Sequence, residues 1–203
     1  MGDSTYHYRV REGTPGKPIL FVFHGTGGDE NQFFDLAARL LPEATLVAPR
    51  GDVSEHGATR YFLRTGEGVY DMADLARATD KMATFVKQQR DRFAASPVLG
   101  FGNSNGANIL ANVMIEHADL FDGAMLLHPL IPFKPKDNAG LAGRKILITA
   151  GERDPICPAP MTVALSDYFV RQKADVTLEW HSGGHDLRQN EVDAARKMAG
   201  TFL

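Results

Sequence analysis

The chain has 203 residues, 43% apolar and 23% charged, with 22 Lys and Arg against 25 Asp and Glu and a formal net charge of −3. A chain of this length buries about 70% of its unfolded surface without disulfides or metals, and its single cysteine, Cys157, cannot form an internal disulfide. No basic excess points to nucleic acid or an anionic membrane, no Cys/His group has zinc-ligand spacing, and the N-terminal Met-Gly-Asp-Ser-Thr-Tyr-His-Tyr has neither a basic nor an apolar leader region.

A weakly alternating strand is predicted around residues 6–10 and a fully apolar one over 18–23. Asp29 and Gln32 form a capping-box-like pair ahead of a helix bearing Phe33, Leu36, Ala37 and Leu40, which Pro42 ends. A strand over 45–48 follows. Residues 49–71 read as one long irregular segment, of a length that in compact domains serves as a lid or binding loop. Met72, Leu75, Ala76, Thr79, Met82, Ala83 and Val86 then hold helical spacing, and 97–101 is the next strand. A helix through Ile109, Leu110, Val113 and Met114 precedes strands over 124–127 and 145–149. Met161, Leu165 and Phe169 mark another helix, 176–180 the last strand, and Val192, Ala195, Met198 and Phe202 the last helix. Short apolar strands alternating with helices imply a mostly parallel sheet of six or seven strands with helices on both faces. No repeat or linker interrupts the chain, so 1–203 reads as a single domain.

Gly102-Asn103-Ser104-Asn105-Gly106 fits Gly-x-Ser-x-Gly between a predicted strand and a predicted helix, the context of a nucleophile elbow. A serine on so sharp a turn crowds its neighbours, hence glycine on both sides. The turn lifts the hydroxyl above the sheet edge, with helix N-terminal amides behind it. The same residues also suit a plain structural turn. A serine nucleophile needs a base, and the base needs an orienting acid. His185, after Gly183-Gly184 in the loop beyond the last strand, is the expected base, with His181 as alternative. His128 ends a strand and is expected to wall the pocket, and His117 lies on the polar part of a helix. Asp154, in Gly151-Glu-Arg-Asp-Pro155 just past a strand, is the expected acid, with Glu152 nearby as alternative. Phe23-His-Gly-Thr-Gly-Gly-Asp29 supplies close-approach glycines, so the Thr26 and Asn105 amides are the expected oxyanion-hole donors and His24 a brace for the loop. This loop lacks the Lys-Ser/Thr ending of a phosphate-binding loop.

Through His24-Gly-Thr-Gly-Gly-Asp-Glu30, Gly102-Asn-Ser-Asn-Gly-Ala-Asn108, Gly151-Glu-Arg-Asp-Pro155 and Gly183-Gly-His185, the chain resembles the carboxylesterase/phospholipase branch of the α/β-hydrolases. That branch contains acyl-protein thioesterases and is related to dienelactone hydrolases. The matching stretches extend from the first strong strand to the C-terminus and keep the order Ser104, Asp154, His185 that α/β-hydrolases use. The resemblance implies a three-layer α/β-hydrolase fold and a cofactor-free, metal-free serine hydrolase, in a group whose members often form homodimers. Ser104 stands where dienelactone hydrolases usually carry cysteine, which points away from that subgroup. The N-terminal region is too short for a full eight-stranded sheet, so the first strand or two are expected to be missing.

No large cap domain is encoded between the strands. In His128-Pro-Leu-Ile-Pro-Phe133, Leu130, Ile131 and Phe133 are expected to form an apolar acyl pocket that Tyr61 and Phe62 close. Arg60, with Arg50 and Arg64, would meet an anionic group on the substrate or else be solvated. The expected activity is cleavage of small-molecule carboxylic esters of short to medium acyl chain through a Ser-His-Asp triad and an acyl-enzyme. A thioesterase or deacylase acting on carrier- or protein-bound acyl groups, and a non-catalytic binding protein of hydrolase fold, are the alternatives. A cytoplasmic protein without membrane insertion or nucleic-acid partner is expected.

Overall fold

In the computed structural model, which describes residues 5–94 and 96–203, the elements follow in the order β1 (Tyr8–Arg11), β2 (Ile19–Phe23), α1 (Phe34–Leu40), β3 (Thr45–Pro49), β4 (Val53–Glu55), β5 (Ala58–Arg60), β6 (Arg64–Gly66), β7 (Val69–Tyr70) and α2 (Met72–Phe93). They continue with β8 (Val98–Asn103), α3 (Asn105–Glu116), β9 (Gly123–Leu127), β10 (Lys145–Gly151), α4 (Ala159–Arg171), β11 (Asp175–His181) and α5 (Gln189–Gly200). Met1–Ser4, the start of the stretch read for a leader, lie outside the described residues.

Seven strands form one sheet in the order β1-β3-β2-β8-β9-β10-β11, all neighbours parallel except the β1–β3 edge pair. Strands covered on both faces lose the in/out alternation of polarity and become continuous apolar runs. In β2 every residue is buried, with Leu20 and Val22 packing toward one face and Ile19, Phe21 and Phe23 toward the other. The first face is covered by α1 and α5 through Phe34, Ala37, Leu40, Ala195 and Ala199, and the second by α2, α3 and α4. This is the three-layer α/β-hydrolase arrangement, with no large cap. Among the described residues no helix is long and apolar enough to cross a membrane.

Strand order reverses between β2 and β8, since the chain leaves β2 toward β3 and returns to the other side as β8. At such a switch point neighbouring connections run to opposite faces and open a crevice beyond the strands' carboxyl ends. The Gly25–Gly28 loop leaves β2 there, and Ser104 leaves β8 there.

Two local expectations are corrected. The first helix starts at Phe34, five residues beyond Asp29, and Phe33 at its N-cap position makes no side-chain cap. Asp29 Oδ1 instead accepts from the Asn31 amide at 2.8 Å, and Gln32 Oε1 accepts from the Gly25 amide at 2.9 Å. The pair is spent on bracing the loop after β2. Residues 49–71 are also not irregular: they fold into the antiparallel hairpins β4–β5 and β6–β7, which end on Asp71 as the α2 cap, its carboxylate accepting from Asp74 N–H. Strands of two or three residues are too short to show a period.

Candidate active site

Ser104 stands between β8 and α3, at the N-cap of the helix, with φ 52° and ψ −119°, a positive-φ conformation that is strained for a residue with a side chain. Its amide donates to Leu127 O at 2.8 Å, tying the turn to the end of β9. The flanking glycines are required by contact: a Cβ on Gly102 would lie 2.5 Å from Gly106 O, and one on Gly106 would lie 2.5 Å from the carbonyls of Phe23 and His24.

His185, in the loop between β11 and α5, places Nε2 3.0 Å from Ser104 Oγ and Nδ1 2.7 Å from Asp154 Oδ2. Asp154 follows β10, and its other oxygen accepts from the amides of Ile156 and Cys157 at 2.8 and 3.0 Å. Burial pushes this carboxyl's pKa up, but the bonds from Cys157, His185, His128 and Ile156 outweigh burial and hold it below the ordinary value. Thus the fold brings the three residues into one hydrogen-bonded line. His181 stays apart, its Nδ1 accepting from the Gly183 amide at 3.0 Å. Glu152 is exposed.

Ser104, His185, Thr26 and Asn105 line one cleft of about 330 Å³ together with Arg60 and Leu130. The Asn105 amide is the first of α3, one of those no helical carbonyl satisfies. His24, fully buried, makes the brace expected of it. Its Nδ1–H donates to Gly25 O at 2.7 Å, its Nε2 accepts from the Gly51 amide at 2.9 Å, and its ring stacks on Tyr61. Burial lowers its pKa, in keeping with that neutral tautomer.

Residues 14–147 match the hydrolase family described as serine aminopeptidase, S33. The chain is an α/β-hydrolase of this family. It is 35% identical over 181 residues to the putative hydrolase MhqD of Bacillus subtilis, covering 88% of this chain and 90% of that protein. Among solved structures, a Bacillus cereus carboxylesterase superposes with TM-score 0.94 at 32% identity, over 99% of this chain and 96% of that one. The protein Atu2452 of unknown function from Agrobacterium tumefaciens superposes with TM-score 0.93 at 56% identity, over 99% and 98%.

Five residues expected at the substrate of this hydrolase are absent from the cleft beside Ser104. Phe62 is fully buried against Tyr70, and Tyr61 beside it is held in the core by its hydroxyl, which donates to Pro49 O at 2.8 Å. Ile131 and Phe133 line a separate groove against α4. The cleft wall is therefore more polar than the sequence suggested, because Tyr61 and Phe62 turn into the core and Ile131 and Phe133 face the groove against α4. Arg50 is away from the cleft, paired with Glu30.

His128 is not a pocket wall but a buried link of the hydrolase's charge network. Its Nδ1 lies 2.8 Å from Asp154 Oδ2, the oxygen that also binds His185. Its Nε2 lies 3.0 Å from Glu191 Oε1, close enough for an ion pair though not aligned for a hydrogen bond. With a carboxylate oxygen beside each ring nitrogen, a lone pair on either would meet negative charge, so these surroundings favour the imidazolium form of His128. Burial opposes that charge, but Glu191 and Asp154 overcome it and raise the pKa. Glu191 on α5 also accepts from Thr149 Oγ1 at 2.5 Å and from the Arg188 amide at 2.6 Å. Burial pushes its pKa up, and His128, Thr149 and the Arg188 amide bring it below the ordinary value.

The network also gathers two groups of metal-ligand type, His128 with His181 and Glu191, and His128 with Asp154 and His185. In the second group both histidines hydrogen-bond Asp154 Oδ2. In the first, His128 Nε2 and His181 Nε2 lie 3.0 and 3.4 Å from the Glu191 carboxylate without a hydrogen bond.

Proposed function

We propose that this hydrolase cleaves carboxylic esters of small molecules through an acyl-enzyme on Ser104. The observation that carries the reading is the unbroken line from Ser104 Oγ to His185 at 3.0 Å and on to Asp154 at 2.7 Å. In the reaction so read, His185 Nε2 takes the Ser104 proton as Oγ attacks the ester carbonyl. Asp154 keeps the Nδ1–H tautomer and faces the imidazolium that forms. The amides of Thr26 and Asn105 receive the oxyanion. Collapse of the tetrahedral intermediate expels the alcohol, which His185 protonates, and a water deprotonated by His185 then releases the acid and restores Ser104.

The test is labelling with a fluorophosphonate probe, together with turnover of matched alkyl esters and acyl thioesters. Ser104 should be labelled in the folded protein, and Ser104→Ala should abolish labelling and lower ester turnover by about 10⁴-fold or more. His185→Ala should do nearly the same, whereas His181→Ala should leave most activity. Absence of labelling would make the protein a binding module of hydrolase fold, and higher kcat/KM on thioesters than on matched esters would make it a thioesterase.

A further inference from the structure

The cleft that holds Ser104 contains a buried cation with no carboxylate of its own. Arg60, the last residue of β5, has a side chain only 3% exposed, yet it lines the cleft. Its hydrogen bonds go to neutral oxygens, from Nη1 to Thr26 Oγ1 at 2.6 Å and from Nε to Phe62 O at 3.3 Å. The nearest carboxylate, Glu55, lies 3.4 Å from Nε, but both its oxygens are already taken by Arg64, whose Nε and Nη2 reach them at 2.8 to 3.1 Å. Two guanidinium groups thus share one carboxylate. Glu67 also lines the cleft, but it is exposed and, among the described residues, forms an ion pair with neither arginine. Desolvation and the Arg64 charge both lower the Arg60 pKa, as befits a cation short of negative partners.

A guanidinium has five N–H donors in a rigid fork, and Thr26 and Phe62 use two of those on Arg60. The rest of the fork is held in place beforehand, so an anion binding it orders little that is not already ordered. We propose that the ester cleaved at Ser104 carries a carboxylate, which binds the Arg60 guanidinium with Arg64 adding to the attraction. This rests on the ester-hydrolase reading above and replaces the apolar acyl pocket expected from the sequence. The small cleft suits a short substrate. The anion can lie on either side of the scissile bond, and the experiment separates the two.

Two pairs of alkyl esters are followed by pH-stat titration. Monoethyl succinate against ethyl butyrate places the charge on the acyl side, and acetoxyacetate against ethyl acetate places it on the alcohol side. In one pair the anionic ester should have kcat/KM at least about 10-fold above its neutral partner, as a hydrogen bond to a charged group allows, and the preference should shrink as salt is added. Arg60→Gln should bring the anionic-to-neutral kcat/KM ratio of that pair down to about one, whatever it does to the neutral ester, and Arg60→Lys, which keeps the charge but not the fork, should retain part of the preference. Equal turnover within both pairs by the unmodified enzyme overturns the proposal, whatever the variants do. So does an Arg60→Gln variant that loses both members of a pair equally, because Arg60 would then serve only to brace Thr26. If Ser104 is not labelled and no ester is cleaved, it is the hydrolase reading that fails.

Discussion

A histidine between two carboxylates changes what the histidine in front of it can do. The rings of His128 and His185 stand 5.0 Å apart, both on Asp154 Oδ2. Around His128 are Asp154 from the loop after β10, Glu191 from α5, His181 from the end of β11, and the Cys157 thiol on its carbonyl. His128 occupies one side of Asp154 Oδ2 and so helps fix where that oxygen meets His185 Nδ1. A small displacement of a catalytic group costs rate rather than substrate binding, so His128→Gln should lower kcat by about 10-fold or more with KM little changed. Steady-state kinetics on both proteins checks this. An unchanged kcat would mean that His128 only packs.

At the scale of elements, α5 is docked by a carboxylate as well as by apolar residues. Glu191, Ala195 and Ala199 are its buried residues, at helical spacing, and Glu191 meets Thr149 on β10 and His128 after β9. Removing one partner of a buried ion pair strands the other, which costs about 3 to 5 kcal/mol. Glu191→Ala should lose about that much in urea unfolding, whereas Glu191→Gln combined with His128→Gln should lose less than the two single variants together. An additive double variant would show that the two are not coupled. The residue was hard to see in advance because a glutamate near a helix start reads as an ordinary dipole partner. Its signal was the stripe it shares with Ala195 and Ala199. Ser104, Asp154 and His185 were legible because each follows a strand in a turn whose glycines announce it, and the main strands were legible because both faces of the sheet are covered. The apolar wall assigned to Phe62, Ile131 and Phe133 failed for a physical reason: apolarity says that a side chain will be buried but not in which cavity. Arg60 was the better guide, since only a fold that closes over it reveals whether an arginine is solvated.

For the whole molecule, the same buried charges set the pH range in which the fold is strongest. Asp154 and Glu191 have folded-state pKa values held below the ordinary carboxyl range, and the Arg50 guanidinium, the largest influence on Glu30, draws that carboxyl down to about 2. A depressed carboxyl contributes stability that is fully present above its unfolded pKa and is lost as pH falls through the folded one. His128 is the opposite case. Its raised pKa contributes stability that is fully present below the unfolded value and is lost as pH rises through the folded one. The Tm should therefore fall on acidification from about pH 4.5 downward, where unfolded carboxyls begin to protonate. It should also decline on the alkaline side once His128 gives up its proton. His128→Gln should have a lower Tm at pH 6 but a flatter alkaline limb than the parent, and Glu30→Gln should lose part of the acid limb while leaving the alkaline one unchanged. Thermal unfolding across pH separates the contributions. An alkaline limb that is the same with and without His128 would show that no imidazolium is held between Asp154 and Glu191.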